Sequence, residues 1–215
     1  MSVKTRMTDL LFGVQIICTF WAGISQFWKM LTTTQGVSIS WLVFWEAFLI
    51  INVVLAVKAH QNKPSRVTLQ IVMSYVAWTI MITADLAILI LKSVDGWDQK
   101  DTTTFILAGA GIIGTLLIGH WRYNLGLADP MVRGYLAVFF KAIPQLVLAY
   151  KISMEGGDGI AFGGVFAGHI TILTRLGQLW FSIREAGWDR NRIGSAISEI
   201  ANEASWVIVT IIWLL

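Results

Sequence analysis

The chain has 215 residues, of which 56% are hydrophobic and 13% are charged, and its mean hydropathy is +0.67. These values exclude an ordinary soluble domain and indicate a polytopic membrane protein, because each spanning helix needs about 20 largely apolar residues. The net charge of +3 is small and lies along the loops, so it concerns orientation in the lipid bilayer and gives no indication of nucleic-acid binding.

Seven apolar segments follow one another, separated by short loops that carry turn residues, among them the loop from Asp95 to Asp98. We therefore predict an all-α membrane protein with seven transmembrane helices. The predicted segments are approximately 9–31, 38–58, 67–91, 103–121, 134–152, 160–183 and 196–215.

Basic residues are concentrated on one side of these segments. The other side holds only Lys29, Lys92, Lys100 and Lys151. The positive-inside rule therefore places the N-terminus in the cytoplasm and the C-terminus outside, and we expect a bacterial inner-membrane protein. The basic side would hold Lys4, Arg6, Lys58, Lys63, Arg66, Arg122, Arg133, Arg184, Arg190 and Arg192.

The first three segments carry polar residues at helical spacing. In the first segment Gln15, Thr19 and Gln26 form a narrow stripe, which is typical of a gate or hinge helix. The second segment contributes Trp45-Glu46, and the third contributes Trp78 and Asp85 on one face. An aromatic plane beside a carboxylate suits a sugar or a cationic solute, through stacking and hydrogen bonds.

The fourth segment contains small residues four apart, including Gly109, Gly111, Gly114 and Gly119. Such spacing predicts close packing against a neighbouring helix, so we expect a structural role. The fifth segment carries Pro144-Gln145. We expect it to break the helix and to act as a hinge, because proline removes a backbone donor and clashes with the preceding turn.

Ionisable side chains in the last two segments are candidates for solute binding, because charges inside a bilayer are costly unless paired or hydrated. The sixth segment carries His169 and Arg175, and the seventh carries Glu199, Asn202 and Glu203 on one stripe. Arg175 requires a carboxylate partner, and an interhelical salt bridge is favoured over a clamp for a substrate carboxylate. The candidate proton sites are Glu203, Glu199, Asp85 and His169.

The two halves of the chain share a pattern. Gln26 is followed by Lys29, a Thr-rich turn and Gly36-Val37-Ser38-Ile39, and Pro144-Gln145 is followed by Lys151 and a Gly-rich turn. We predict two parallel three-helix repeats joined by a linker helix. The first repeat would span residues 1–95, the linker helix with its flanking loops 96–133, and the second repeat 134–215.

These motifs resemble the PQ-loop family, which includes the SWEET and SemiSWEET sugar transporters, cystinosin-like transporters and, more distantly, the KDEL receptors. The resemblance covers the whole chain in layout and about 18 residues of each half in detail. Ser25 stands where the family usually has proline. The resemblance implies an N-terminus outside, which opposes the charge count.

The leading hypothesis is a transporter of a small polar solute that works by alternating access, with or without proton coupling. Gln26, Pro144 and Gln145 would act as hinge or gate residues. The predicted substrate-binding residues are Trp45, Glu46, Trp78, Asp85, Arg175, Asn202 and Glu203.

Two alternatives belong to other classes. An intramembrane enzyme similar to terpene cyclases would use Glu46 and Glu199 or Glu203 as buried acids. A receptor or assembly subunit would hold a ligand without moving it. No cofactor or metal site is expected, because the sequence has no phosphate-binding loop and no cluster of His or Cys. The expected partners are the lipid bilayer and a small solute, and homo-oligomerisation is left open.

Overall fold

The computed structural model describes residues 3–93 and 96–215, with the side chains of residues 3–8 left out. Asp95 of the predicted turn and the side chains of Lys4 and Arg6 therefore lie outside the described part. The prediction of seven helices and an all-α fold is confirmed within these ranges. The helices are α1 Val3–Thr32, α2 Ile39–Asn62, α3 Arg66–Lys92, α4 Gln99–Tyr123, α5 Pro130–Glu155, α6 Phe162–Ala186 and α7 Arg190–Leu214.

Six of the described helices are long and apolar enough to cross a membrane, which makes the chain an integral membrane protein. They are α1 from Asp9 onward, α2, α3, α4, α5 and α7. Helix α6 is not among these six. It has 25 residues and is as long as α4 and α7, but it includes the polar residues His169, Arg175 and Gln178.

Short polar side chains begin most of these helices. Ser65 forms a capping box at the start of α3, and Asp98 forms one at the start of α4. Asp129 caps the first backbone N–H groups of α5, and Asp189 caps those of α7. Each cap satisfies donors that have no partner inside the helix. The predicted segments match the helix cores, and the helices extend three or more residues beyond seven of the fourteen predicted ends.

The packing order is the same in the two halves of the chain. Helix α3 lies between α1 and α2, and α7 lies between α5 and α6. The halves meet where α1 packs on α6 and where α2 packs on α5, while α4 packs on α5 and α2.

Helix α5 does not break at Pro144, so that prediction is wrong. The chain stays helical through a π-helical turn at Val138–Ala142, in which the N–H of Ile143 donates to the carbonyl of Val138. The wider turn accommodates the proline ring, which would clash with the carbonyl of Phe140 in a regular α-helix.

The close helix approach predicted for α4 is found at Gly111 and Gly119, where an added Cβ atom would overlap the ring of Phe139 or lie 3.2 Å from Cγ2 of Val132 on α5. The closest approach of two backbones lies between α5 and α7. A Cβ atom at Gly194 would lie 2.1 Å from the carbonyl oxygen of Pro130, and one at Gly134 would lie 2.6 Å from that of Gly194. In contrast, no atom of another described helix lies within 4 Å of a Cβ atom placed at Gly109 or Gly114. The prediction is wrong for these two glycines, because no described part of the chain packs on that face of α4.

Candidate functional site

A central cavity lies where the two halves of the bundle meet. Its volume is about 790 Å³, including space open to solvent, and residues of α1, α2, α3, α5, α6 and α7 form its wall. Most of the wall is apolar. The polar and aromatic members are Gln26, Trp41, Trp45, Phe48, Trp78, Asp85, Lys141, Gln145, Thr171, Arg175, Asn202 and Trp206.

Four tryptophans form a continuous aromatic wall in this cavity. The ring centres of Trp78 and Trp45 are 5.2 Å apart, those of Trp45 and Trp41 are 5.5 Å apart, and those of Trp41 and Trp206 are 5.8 Å apart. Trp41 and Trp206 stack with an angle of 20° between their planes, although they come from α2 and α7. The wall offers flat apolar surface, and the indole N–H of Trp41 is buried without a hydrogen-bond partner among the described residues.

Asp85 supplies the acidic group of the cavity. Its residue is 2% exposed and lines the wall beside the aromatic side chains of α2 and α3. The atom Oδ1 is buried and has no hydrogen-bond partner in the described part of the chain. Because a buried polar atom is normally bonded, this oxygen has capacity for a ligand or a proton.

Two cations line the same cavity at a different level. Lys141 is 5% exposed, and its Nζ lies 3.9 Å from Oε1 of Glu199 and 5.0 Å from the ring centre of Phe48. The Nη1 atom of Arg175 lies 3.8 Å from the same carboxylate oxygen. Both distances exceed hydrogen-bond length, so each cation keeps donors for another acceptor. One carboxylate for two cations leaves an excess of one positive charge.

A hydrogen-bonded group on α5 and α7 borders these charges. Nε2 of Gln145 donates to Oδ1 of Asn202 over 3.1 Å, and the hydroxyl of Ser205 donates to Oε1 of Gln145. Gln145 therefore fixes α5 against α7 within one half of the chain. Because its amide is bonded on both sides, Gln145 holds the side chain of Asn202, and both residues line the cavity.

Gln26 connects the two halves. Its Nε2 donates to the carbonyl of Gly159 over 2.8 Å, and its Oε1 accepts from the N–H of Ala161 over 3.0 Å. Ala161 directly precedes α6 and its side chain cannot cap the helix, so Gln26 of α1 satisfies backbone groups that the helix start leaves open. The two glutamines of the related motifs thus make different contacts.

A second cavity of about 720 Å³ lies at the end of the bundle where α2 ends and α5 and α7 begin. Asn52, Arg133 and Glu199 line it, and Arg133 donates to Asn52 over 2.8 Å. Phe48 lines both cavities, so the two spaces adjoin at its ring. Glu199 faces the second cavity, while its cationic partners face the first.

The opposite end of the bundle, here called the closed end, consists of the loops at 33–38, 96–98 and 156–161. The two turns of the related motifs pack against each other there. A Cβ atom at Gly36 would lie 2.0 Å from the carbonyl oxygen of Gly156, and both glycines have positive φ angles of 75° and 86°. The N–H of Gly159 also donates to the carbonyl of Gln35 over 2.8 Å.

Two acidic residues at the start of α4, Asp98 and Asp101, complete the closed end. Asp101 is fully buried and accepts from Ser38 and Ser40, while Nζ of Lys151 lies 2.8 Å from Oδ2 of Asp98. Burial by itself would raise the pKa of Asp98, but hydrogen bonds from Lys151 and from the N–H of Asp101 lower it below its ordinary value. The start of α4 is therefore bonded to both halves of the chain.

Of the predicted substrate-binding residues, the structure brings five together on the cavity wall: Trp45, Trp78, Asp85, Arg175 and Asn202. It places two elsewhere. Oε1 of Glu46 accepts from Thr83, and Glu203 lies 2.7 Å from Nδ1 of His169; neither acid lines either cavity described here.

The candidate proton sites are separated in the same way. Asp85 lines the central cavity, Glu199 faces the second, and the pair of Glu203 and His169 lies between α6 and α7, where Nε2 of His169 is 2.8 Å from the hydroxyl of Thr210. The three glutamates of the enzyme hypothesis therefore have three different sets of partners. They do not share one cavity.

Several site residues escaped the sequence reasoning. Trp41 and Lys141 line the central cavity, and Asp101 and Lys151 organise the closed end. A charged residue inside an apolar segment was the available signal for Lys141. For the others, no signal in the sequence indicates which face of the helix meets which neighbour. Among the described residues, no group of three His, Cys, Asp or Glu side chains could hold a metal ion.

Comparisons with known proteins give no family for this chain, because no family model, no curated protein and no solved structure matches it. The resemblance to the PQ-loop family stays a prediction from the motifs. Function is therefore argued from the geometry of the cavity, since a fold by itself does not determine an activity.

Proposed function

We propose that this protein transports a small polar solute across the membrane by alternating access. The observation that carries the proposal is the central cavity between the two halves, with a charged and aromatic wall, next to a bonded closed end. An enclosed site between two helical units is the arrangement that alternating access requires, since each end must open in turn.

The proposal includes two parallel three-helix repeats joined by the linker helix α4. Its support is the shared packing order, with the third helix of each unit in the middle. In this arrangement α1 corresponds to α5 and α2 corresponds to α6. Interchanging the two units therefore converts the contact of α1 with α6 into the contact of α5 with α2, as an approximate two-fold relation requires. In this proposal the units rock against each other about the cavity.

The proposed orientation follows the charge count. The closed end belongs to the side with few basic residues, so it faces outward, and the second cavity faces the cytoplasm of a bacterial cell. The described conformation is then the one that takes up or releases solute on the inside. Opening outward requires breaking the hydrogen bonds of Gln26 and the contacts of Lys151.

The wall residues have separate roles in this proposal. Trp45 and Trp78 stack on the solute, and Asn202 hydrogen-bonds to it, while Asp85 and Arg175 meet its charged or polar groups. Asp85 is also the proposed proton site, because its free oxygen lies in the cavity. Gln26 and Gln145 hold the units, and the widened turn before Pro144 supplies a position where α5 bends.

The test is uptake by proteoliposomes offered radiolabelled sugars, amino acids and nucleosides one at a time. We expect one class to equilibrate across the membrane, and we expect Trp78→Ala to reduce its initial rate at least tenfold. Trp121→Ala is the matched control, because Trp121 is 78% exposed and lies outside the cavity. Binding without flux would favour a receptor, and conversion of prenylated substrates to cyclised products would favour the enzyme.

Proton coupling is tested in the same vesicles. Acidifying one side should drive uptake above equilibrium, and Asp85→Asn should leave only downhill flux, because it removes the titrating oxygen from the cavity. A flux that does not respond to the pH gradient removes the coupling part of the proposal and leaves facilitated diffusion.

A further inference from the structure

We infer that the solute is a zwitterion with well-separated charges, whose amine binds Asp85 and whose acidic group binds Lys141 and Arg175, while an apolar middle lies on the tryptophan wall. This inference rests on the proposed transport function and specifies its substrate class. It is carried by the distribution of charge in the central cavity.

The acidic end of the cavity has an unmet requirement. Oδ1 of Asp85 is buried, lines the cavity and has no partner within the described residues. Hydroxyl donors of a sugar would satisfy its hydrogen bond but would supply no opposite charge to its ionised form. An ammonium group supplies both, since it carries three donors and a full positive charge.

The basic end has the opposite requirement. Lys141 and Arg175 share the single carboxylate of Glu199 at 3.9 Å and 3.8 Å, so one positive charge and several N–H donors are left over. A carboxylate on the solute fits between donors of this kind. Glu199 faces the second cavity and does not compete from the central side.

The two ends lie at different depths. Asp85 is seven residues before Lys92 at the end of α3, whereas Lys141 is fourteen residues before Glu155 at the end of α5. Lys92 and Glu155 both end their helices on the side of the closed end, so at 1.5 Å per residue the two levels differ by about 10 Å. Arg175 is thirteen residues after Phe162 and lies near the level of Lys141.

The depth difference selects among zwitterions. An α-amino acid carries both charges within about 3 Å and reaches only one end, because hydrogen bonds are about 3 Å long. A solute with roughly 5–10 Å between its charges reaches both ends once the side chains and hydrogen bonds span the rest. Such a solute compensates both ends at once, and its apolar middle meets Trp78 and Trp206.

The experiment measures binding to the purified protein in nanodiscs by titration calorimetry. The probes are ω-amino carboxylates of increasing chain length, together with the alkylamine and the alkyl carboxylate of matched length. We expect an optimum chain length, with at least tenfold tighter binding than either singly charged analogue. Equal affinity for the alkyl carboxylate, or tighter binding of an uncharged sugar, would overturn the inference.

Substitutions separate the two ends. Asp85→Asn should lower the affinity for the zwitterion at least tenfold and leave that for the alkyl carboxylate unchanged. Lys141→Met should also lower the affinity for the zwitterion, but it should leave that for the alkylamine unchanged. Glu46→Gln is the matched control, since this half-buried acid is bonded to Thr83 away from the cavity and should change none of these affinities. If Asp85→Asn binds the zwitterion as tightly as the parent protein, the inference is wrong.

A second pair of variants keeps each charge and moves it. Asp85→Glu extends the carboxylate into the cavity, so the optimum chain length should become shorter. Arg175→Lys moves the positive charge at the other end, so it should also change the optimum chain length. A purely structural role for either residue would change affinity without changing the optimum. Binding in this pattern without vesicle flux would reject the transport proposal alone. Flux of a neutral sugar that Asp85→Asn leaves unchanged would reject this inference alone.

Discussion

Of the two buried glutamines of α1, Gln26 is the one whose substitution should lower the stability of the protein more. Gln26→Leu removes one donor and one acceptor, and it leaves the carbonyl of Gly159 and the N–H of Ala161 buried without partners. Each unmet buried backbone group costs about 1–3 kcal/mol, so the expected loss in the free energy of unfolding is about 2–4 kcal/mol after partial relaxation.

Gln15→Leu is the matched control, because Gln15 lies on the same helix and is buried to a similar extent. Its Nε2 makes one hydrogen bond of 3.2 Å to Oε1 of Gln178, a side chain that can find another partner. Single interhelical hydrogen bonds in membrane proteins contribute about 0.6 kcal/mol on average, so the control should lose less than about 1 kcal/mol.

The assay is reversible unfolding in mixed micelles at increasing mole fractions of sodium dodecyl sulfate, followed by tryptophan fluorescence. The difference between the two variants measures the worth of the contacts between α1 and the start of α6, because chain length, helix and residue type are held constant. Equal losses for the two variants would show that Gln26 does not hold the closed end. A larger loss for Gln15→Leu would refute the argument from unmet backbone groups.

Two further predictions concern stability. Because the pKa of Asp98 is lower in the folded protein than in the unfolded chain, its contribution is complete above its unfolded value of about 4 and is lost as the pH falls through the folded value. The free energy of unfolding should therefore decrease below about pH 4, and Asp98→Asn should show a smaller decrease over the same range; an unchanged pH profile would contradict this. Gly194→Ala should destabilise by about 1–3 kcal/mol because its Cβ would meet backbone atoms of Pro130, whereas Gly114→Ala should be neutral or stabilising by up to about 1 kcal/mol. Equal unfolding midpoints for the two alanine variants would contradict this prediction, because they would mean that α5 and α7 can move apart without a loss of stability.

The difference between the two motif glutamines illustrates what symmetry in the sequence leaves open. Gln26 and Gln145 occupy related positions, yet Gln26 bonds across the halves and Gln145 bonds within one half. The proline adds to the asymmetry, since α5 alone among the described helices contains a π-helical turn. A repeat in sequence predicts a shared layout, but each side chain bonds to whatever its own neighbours present.

The number and order of the helices follow from the sequence alone, because apolar length and turn residues act locally along the chain. The same local signals marked Trp45, Trp78, Asp85, Arg175 and Asn202 as polar or aromatic residues in apolar segments. Whether such residues share one cavity depends on the rotation of each helix about its axis. That rotation is set by packing between distant segments, which no local pattern records.

Only the tertiary structure decided the partners of the charged groups. Glu199 and Glu203 lie one turn apart on α7, but packing directs the first to Lys141 and Arg175 and the second to His169. The sequence determined that these charges must be compensated inside a membrane, because an unpaired ion is costly there. Asp85 is the acid that folding placed on the wall of the central cavity with one oxygen left without a partner among the described residues, and this arrangement arises from the meeting of six helices.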